Sequence, residues 1–151
     1  MDACKLMRCV TGRDIIVKIE GCYNGHHDSV LISINRSENA LGPIDNPVRV
    51  PGAGVTQASA DNVRIVPYNN LPLLEKVFAE HKGRIAGLIL EPMMMNAGII
   101  APQPGYLAGI RKITQKYGAL LTFDEVKTGL VVHQGFFFFF NLHFFFMYLF
   151  F

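Results

Sequence analysis

The chain has 151 residues, of which 50% are hydrophobic and 17% charged, and its formal net charge is +2. This balance excludes a largely disordered protein, which would combine low hydrophobicity with a high net charge. The 14 basic residues are spread along the chain beside 12 acidic ones, so the composition does not indicate nucleic-acid binding. Three cysteines without C-x-x-C spacing favour reduced thiols, and hence a cytoplasmic protein, over a disulfide framework or a metal site.

The first third of the chain predicts a helix, a strand and a long irregular segment. Leu6, Met7 and Val10 at helical spacing predict a helix over residues 1–10, and the β-branched run Ile15–Ile19 predicts a strand. Residues 29–61 are rich in Gly, Pro, Asn and Ser, which indicates an irregular excursion of the kind that often carries function.

The middle of the chain predicts a second strand and a second helix. Residues 63–66 form a short apolar strand pattern, and Asn69-Asn70 supplies the N-cap of the helix that follows. Pro72 lies in the first turn of this helix and Gly83 is its expected end. We expect one face of the helix to be apolar, with Leu73, Leu74, Val77 and Phe78.

Two continuous apolar runs, residues 85–90 and 119–123, predict strands that are buried on both faces. Between them, Pro104 is expected to open a helix that Gly118 ends. Its apolar stripe is predicted to contain Leu107, Ile110, Ile113 and Tyr117. Strands that alternate with helices predict an α/β fold whose mostly parallel sheet is joined by right-handed crossover helices.

Each of the two buried strands is followed at once by an acidic residue, Glu91 or Asp124. Because parallel sheets bind ligands beyond the carboxyl ends of their strands, these acids are candidate site residues. The alternative is that both are solvated strand-end residues that cap neighbouring turns. Two carboxylates at one sheet edge make a site more plausible than one, since burying a carboxylate without partners is costly.

The C-terminal segment has an unusual composition, because residues 136–151 contain 10 of the 12 phenylalanines. The segment is shorter than the stretch of about 20 apolar residues that a spanning helix needs. It is also too aromatic to pack readily as one core strand. We favour the interpretation that residues 136–151 arise from a translated T-rich intron or a shifted frame, and we place residues 131–151 outside the family fold. An interfacial or membrane segment and a real core strand are the alternatives.

Three segments together resemble the class III pyridoxal-phosphate aminotransferases. Residues 20–28, Glu-Gly-Cys-Tyr-Asn-Gly-His-His-Asp, resemble the family's Glu-Gly-x-Tyr-His-Gly-His segment. Residues 90–98 resemble its Glu-Pro segment, and residues 121–129 resemble its Asp-Glu-Val-x-Thr-Gly signature. The short segments Asn-Ala-Gly and Pro-Gly-Tyr-Leu are most similar to those of the glutamate-1-semialdehyde 2,1-aminomutase branch of the family. The resemblance implies that residues 1–130 are part of the large, pyridoxal-phosphate-binding domain of a fold-type I transferase.

The resemblance also implies a role for five residues. Asp124 matches the carboxylate that pairs with the ring nitrogen of the cofactor and keeps it protonated. Tyr23 matches the aromatic residue that stacks on one face of the ring, and Val126 matches the apolar residue on the other face. Asn96 is similar to a residue that hydrogen-bonds near the ring hydroxyl, and Glu91 is expected to lie beneath the site. The resemblance further implies a small amino acid or amino aldehyde as substrate, and a homodimer.

Other interpretations of these residues stay open on the sequence alone. Tyr23 would more often be a packed turn aromatic, and Val126 a core residue. His26, His27 and Asp28 resemble a metal-ligand run, but adjacent residues of an extended segment point to opposite sides, so we expect no metal. The glycine cluster at residues 52–54 has no strand leading into it and is not predicted to bind the phosphate.

Four departures from the family pattern bear on activity. Asn24 replaces the family's histidine, and the family's Ser-Gly-Thr-Glu-Ala phosphate loop is expected upstream of Met1. The Schiff-base lysine is expected a little under thirty residues after Asp124, but no lysine follows Lys127, for which we expect only a solvated position. The small domain with the substrate-binding arginines is not represented. We therefore expect a piece of an aminotransferase or aminomutase that is inactive alone. The alternatives are a non-enzymatic truncated α/β product and a protein attached to a membrane through its tail.

Overall fold

Within the part of the chain that the structure describes, the central sheet contains five strands: β1 (Ile15–Ile19), β2 (Val63–Val66), β3 (Ile85–Leu90), β4 (Leu120–Asp124) and β5 (Met147–Phe150). The computed structural model describes residues 1–34, 43, 51–131 and 147–150. The strand order is β2-β1-β3-β4-β5, in which the first four strands are parallel and β5 is antiparallel to β4. The predicted α/β fold with a mostly parallel sheet is therefore confirmed.

Helices cover both faces of the sheet. They are α1 (Asp2–Thr11), α2 (Gln57–Asp61), α3 (Leu71–Glu80), α4 (Tyr106–Tyr117) and α5 (Thr128–Val131). Buried side chains of α3 and α4 share one core with one face of β1, β3 and β4, whereas α1 packs on the opposite face. The sheet is thus buried on both sides, which explains why β1 and β3 are apolar throughout apart from Lys18.

The structure buries one of the three apolar residues from which α1 was predicted, Met7. Leu6 and Val10 are about half exposed, and the buried residues are Ala3, Cys4 and Met7. Helix α1 approaches β3 closely at Gly87, where an added Cβ would lie 2.1 Å from the Met7 sulfur. Because Gly87 has no side chain, β3 leaves room for the Met7 side chain, which is fully buried.

Helix boundaries differ from the predicted ones by one or two residues. Asn70 caps α3 as predicted, since its side chain accepts a hydrogen bond from the Leu73 amide, but the C-cap is His81 and not Gly83. The N-cap of α4 is Gly105, so Pro104 precedes the helix, which Gly118 ends in the left-handed conformation. The segment predicted to be irregular contains the short helix α2, whose N-cap is Thr56. The rest of that segment is described only at residues 29–34, 43 and 51–56.

The Phe-rich segment enters the described structure only through β5, at residues 147–150. This strand pairs antiparallel with residues 121–124 of β4, with Met147 opposite Asp124 and Phe150 opposite Leu121. The proposed domain boundary near residue 130 stays a prediction. Among the helices that the structure describes, none is long and apolar enough to cross a membrane.

Candidate functional site

The parallel pairing of β3 and β4 brings two acidic residues to one edge of the sheet. Leu90 is the register partner of Phe123, so Glu91 and Asp124 follow at equivalent positions of neighbouring strands. The turn that leaves β1, which is next to β3 on its other side, delivers Tyr23 and Asn24 to the same edge. Three of the predicted motifs therefore meet at the carboxyl ends of adjacent strands, as the α/β rule predicts.

Asp124 is half-buried and is held by two hydrogen-bond donors. Its Oδ1 accepts from the Val126 amide at 3.2 Å, and its Oδ2 accepts from the Asn24 side-chain amide at 3.0 Å. A carboxylate has about four acceptor positions, so two donors leave capacity for a further one. Asn24 is 8% exposed, and its Oδ1 is a buried acceptor with no hydrogen-bond partner in the described structure. The arrangement suits a ligand that brings an N–H donor.

Glu91 is 4% exposed and fully engaged. Its Oε1 accepts from the Tyr23 amide at 3.1 Å and from the Asn96 side-chain amide at 3.2 Å, and its Oε2 accepts from the Met95 amide at 3.0 Å. These donors compensate for the lost hydration of a buried carboxylate. The alternative of a solvated strand-end residue is therefore wrong for Glu91, which ties the β1 turn to the loop after β3.

Asn96 links this network to the segment after β4. Its side-chain amide donates to Glu91, and its Oδ1 accepts from the Lys127 Nζ at 2.5 Å. Lys127 is exposed, as the sequence predicted, but it makes this contact with the site loop. Through Asn96, the ends of β3 and β4 are joined by side chains as well as by the sheet.

Tyr23 and Val126 present apolar surface at this edge. Tyr23 is 44% exposed and Val126 is 62% exposed, so neither is a core residue. Their backbones are fixed by the two acids, because the Tyr23 amide donates to Glu91 and the Val126 amide donates to Asp124. Both side chains are therefore accessible at this edge while their backbones are held in place.

Glu125, next to Asp124, is buried rather than part of the open edge. It is 5% exposed, and its carboxylate accepts a hydrogen bond from the Thr128 hydroxyl at 3.0 Å. Burial raises the pKa of Glu125 above its ordinary value, the Thr128 hydroxyl opposes this, and the charge of Asp124 adds to it.

The histidine pair after the β1 turn has local partners. His27 Nδ1 accepts from the Ser29 amide at 3.2 Å, and the Asp28 carboxylate accepts from the Ser59 hydroxyl at 3.4 Å. Within residues 1–34, 43, 51–131 and 147–150, no group of three or more His, Cys, Asp or Glu side chains is placed to hold a metal ion.

The sequence did not predict the roles of two residues in this region. Asn24 was expected only as the loss of a family histidine, yet it is the side chain that contacts Asp124. Lys18 was treated as an ordinary strand residue, yet it is fully buried beside the β1 turn. A lysine inside a β-branched run was the available signal for the second residue, and no sequence pattern signals the first contact.

The site elements and the parallel sheet define an α/β protein with two acids and an exposed aromatic residue at the strand ends. Residues 1–140 match the model of the protein family described as "Aminotransferase class-III", and the chain belongs to this family. It is 47% identical, over 135 residues, to the glutamate-1-semialdehyde 2,1-aminomutase of Natranaerobius thermophilus. The aligned region is 89% of this chain but 30% of that relative, so the chain spans about a third of the relative's length.

Solved structures agree with this assignment. An omega-transaminase from Sphaerobacter thermophilus superposes with a TM-score of 0.78 at 32% identity, over 88% of this chain and 32% of that one. A glutamate-1-semialdehyde-aminomutase from Pseudomonas aeruginosa, solved in complex with PMP, gives a TM-score of 0.69 at 29% identity. That match covers 84% of this chain and 26% of the other. The resemblance to the family and to a fold-type I transferase is thereby confirmed.

Proposed function

We propose that the chain is the part of a class III aminotransferase that binds the ring of pyridoxal phosphate at the carboxyl ends of β3 and β4. The observation that carries the proposal is the half-buried Asp124 carboxylate, which two donors orient and which retains acceptor capacity. The buried, unpartnered Oδ1 of Asn24 beside it supports a ligand that brings a donor to this point. The PMP complex of the Pseudomonas aeruginosa relative supports the choice of ligand.

Each candidate residue has a defined task in this proposal. When bound, pyridoxal phosphate supplies an electron sink that depends on a protonated ring nitrogen. Asp124 would hold that proton by its negative charge. Tyr23 and Val126 would cover the two faces of the ring and exclude water. Asn96 would donate to the cofactor's ring oxygen, and Glu91 would hold the backbone of Tyr23 from below.

The reaction is proposed to be movement of an amino group on a small amino acid or amino aldehyde, with the aminomutase branch preferred. The 47% identity to a glutamate-1-semialdehyde 2,1-aminomutase supports that preference. We further propose a homodimeric, cytoplasmic enzyme, the compartment being supported by the three free cysteines among the described residues. We assign residues 1–130 to the cofactor domain, and residues 131–151 to a segment outside it.

Catalysis by the 151 residues alone is not part of the proposal. The family's covalent cofactor anchor is a lysine after Asp124, and Lys127 is the last lysine of the sequence. Lys127 lies three residues beyond Asp124 and donates to Asn96. We therefore propose non-covalent cofactor binding without turnover.

Titration of the 151-residue chain with pyridoxal phosphate, followed by absorbance and ligand fluorescence, tests the proposal. Asp124→Asn keeps the shape but removes the charge, and should weaken binding about tenfold or more, the usual loss for a hydrogen bond to a charged group. Asp14→Asn is the matched control, because Asp14 is exposed and precedes β1 at the opposite end of the sheet. Equal affinity of the two variants, or no binding by the parent chain, would contradict the assignment.

A further inference from the structure

Lys18 occupies an unusual position, because it is completely buried in the interior strand β1. Its register partners are Ile65 on β2 and Ile89 on β3, so its lateral neighbours in the sheet are apolar. Lysine is almost never fully buried unless its charge is compensated, since removal of an ammonium group from water is costly. A buried lysine at this place therefore has a structural or functional reason.

The ammonium group of Lys18 donates to two backbone carbonyls of the turn that follows its own strand. Nζ lies 3.2 Å from the Ile19 oxygen and 2.5 Å from the Cys22 oxygen. The same turn is closed by a hydrogen bond from the Cys22 amide to the Ile19 oxygen at 3.3 Å, and Gly21 adopts a φ of 78° within it. Lys18 thus holds the turn from inside the protein.

The carbonyl that Lys18 binds belongs to the same peptide unit as the amide that Glu91 binds. The Cys22 oxygen accepts from Lys18, and the Tyr23 N–H donates to Glu91 Oε1 at 3.1 Å. In a trans peptide these two groups point in opposite directions, and this chain has no cis peptide among its described residues. The Cys22–Tyr23 peptide is therefore clamped between a buried cation and a buried anion, which polarises and strengthens both hydrogen bonds.

We propose that Lys18 is a positioning residue for the candidate cofactor site. It fixes the orientation of the Cys22–Tyr23 peptide, and thereby the placement of the Tyr23 ring and of the Asn24 amide that contacts Asp124 at 3.0 Å. Lys18 is fully buried, and this backbone unit connects it to the site. The role in positioning the site rests on the proposed function. The clamp, in which Lys18 and Glu91 hold the Cys22–Tyr23 peptide, is present without cofactor and can be measured without it.

Lys18→Met in the 151-residue chain, compared with Lys76→Met, tests the clamp. Methionine keeps the length and apolar stem but leaves the Cys22 carbonyl without its donor, whereas Lys76 is exposed on α3. In the cofactor-free protein we expect hydrogen exchange of the Tyr23 amide to be about tenfold faster or more in Lys18→Met. The Asn24 side-chain amide resonances should shift as well. Neither change should occur in Lys76→Met.

A second measurement uses the unmodified chain, so the proposal can be tested even if Lys18→Met does not fold. The ammonium protons of Lys18 should be observable by nitrogen-15 NMR at neutral pH, because burial and two acceptors slow their exchange, whereas those of Lys76 should not. Fast exchange at Lys18, or an unchanged Tyr23 amide in a folded Lys18→Met, would overturn the proposal. If the clamp behaves as expected and the parent chain does not bind pyridoxal phosphate, the proposed function fails and the clamp stands.

Discussion

The side-chain amide of Asn24 donates to Asp124 Oδ2 at 3.0 Å, across one hundred residues of sequence. The contact joins the turn after β1 to the end of β4, although these two strands are separated in the sheet by β3. A neutral donor in this position fixes the carboxylate without adding a titrating group. The family pattern has a histidine at residue 24, so the chain uses a different donor type beside its candidate cofactor carboxylate.

Replacement of Asn24 by leucine should separate stability from cofactor binding. The variant loses the hydrogen bond to Asp124, but it also removes a buried oxygen that has no partner in the described structure. We expect the free energy of unfolding to change by no more than about 1–2 kcal/mol, because these effects partly cancel. Affinity for pyridoxal phosphate should fall, since Asp124 is no longer oriented. Urea unfolding and cofactor titration measure the two quantities.

A double variant shows whether Asn24 acts through Asp124. The loss of affinity in Asn24→Leu should be smaller when Asp124→Asn is already present, because the residue that Asn24 orients has lost its charge. Fully additive losses would contradict this coupling.

The buried carboxylate of Glu91 should be sensitive to the isosteric change to glutamine. Three N–H donors point at it, from Tyr23, Met95 and Asn96. The glutamine NH2 group would face at least one of them, so a buried donor would lose its acceptor at a cost of about 1–3 kcal/mol. The measurement is urea unfolding beside Glu80→Gln, a change on the exposed face of α3. Equal stability of the two variants would show that the Glu91 network contributes little.

The elements whose signal is local could be predicted from the sequence. Continuous apolar runs predicted β3 and β4, and the helix pattern between them predicted that the two strands are parallel. The meeting of Glu91 with Asp124 followed in turn, because parallel strands end at one sheet edge. These steps need only the chemistry of neighbouring residues and the geometry of a parallel crossover.

The contacts that depend on a distant partner could not be predicted. The outer position of Leu6 is determined by the packing of Met7 against Gly87, and Gly87 lies on another element. Burial of Lys18 depends on backbone carbonyls, which every residue possesses and which leave no sequence pattern. Sequence periodicity alone would have placed both residues on the wrong side of the protein surface.

Glu125 should make the stability of the protein depend on pH. Burial raises the pKa of its carboxyl in the folded chain, so the folded state retains the proton to a higher pH than the unfolded state. The resulting stabilisation is complete below the ordinary pKa of 4.5 and is lost as the pH rises through the raised value. Glu125→Gln imitates the protonated form. The free energy of unfolding of Glu125→Gln, measured in urea and compared with that of the parent, should therefore become more favourable to the variant as the pH rises from about 4 to about 7. A difference that is constant over this range would contradict the prediction.

The three cysteines should differ sharply in their reaction with a thiol reagent. Cys9 is exposed, whereas Cys4 and Cys22 are buried. Burial raises the pKa of Cys4 and raises that of Cys22 to about 12, so little of either thiol is present as the reactive thiolate at neutral pH. With 5,5′-dithiobis(2-nitrobenzoic acid) we expect one fast equivalent per folded chain and two slow ones that react only as the protein opens. The fast equivalent should disappear in Cys9→Ser. A second fast thiol that mass spectrometry assigns to Cys22 would mean that the turn held by Lys18 is open in solution.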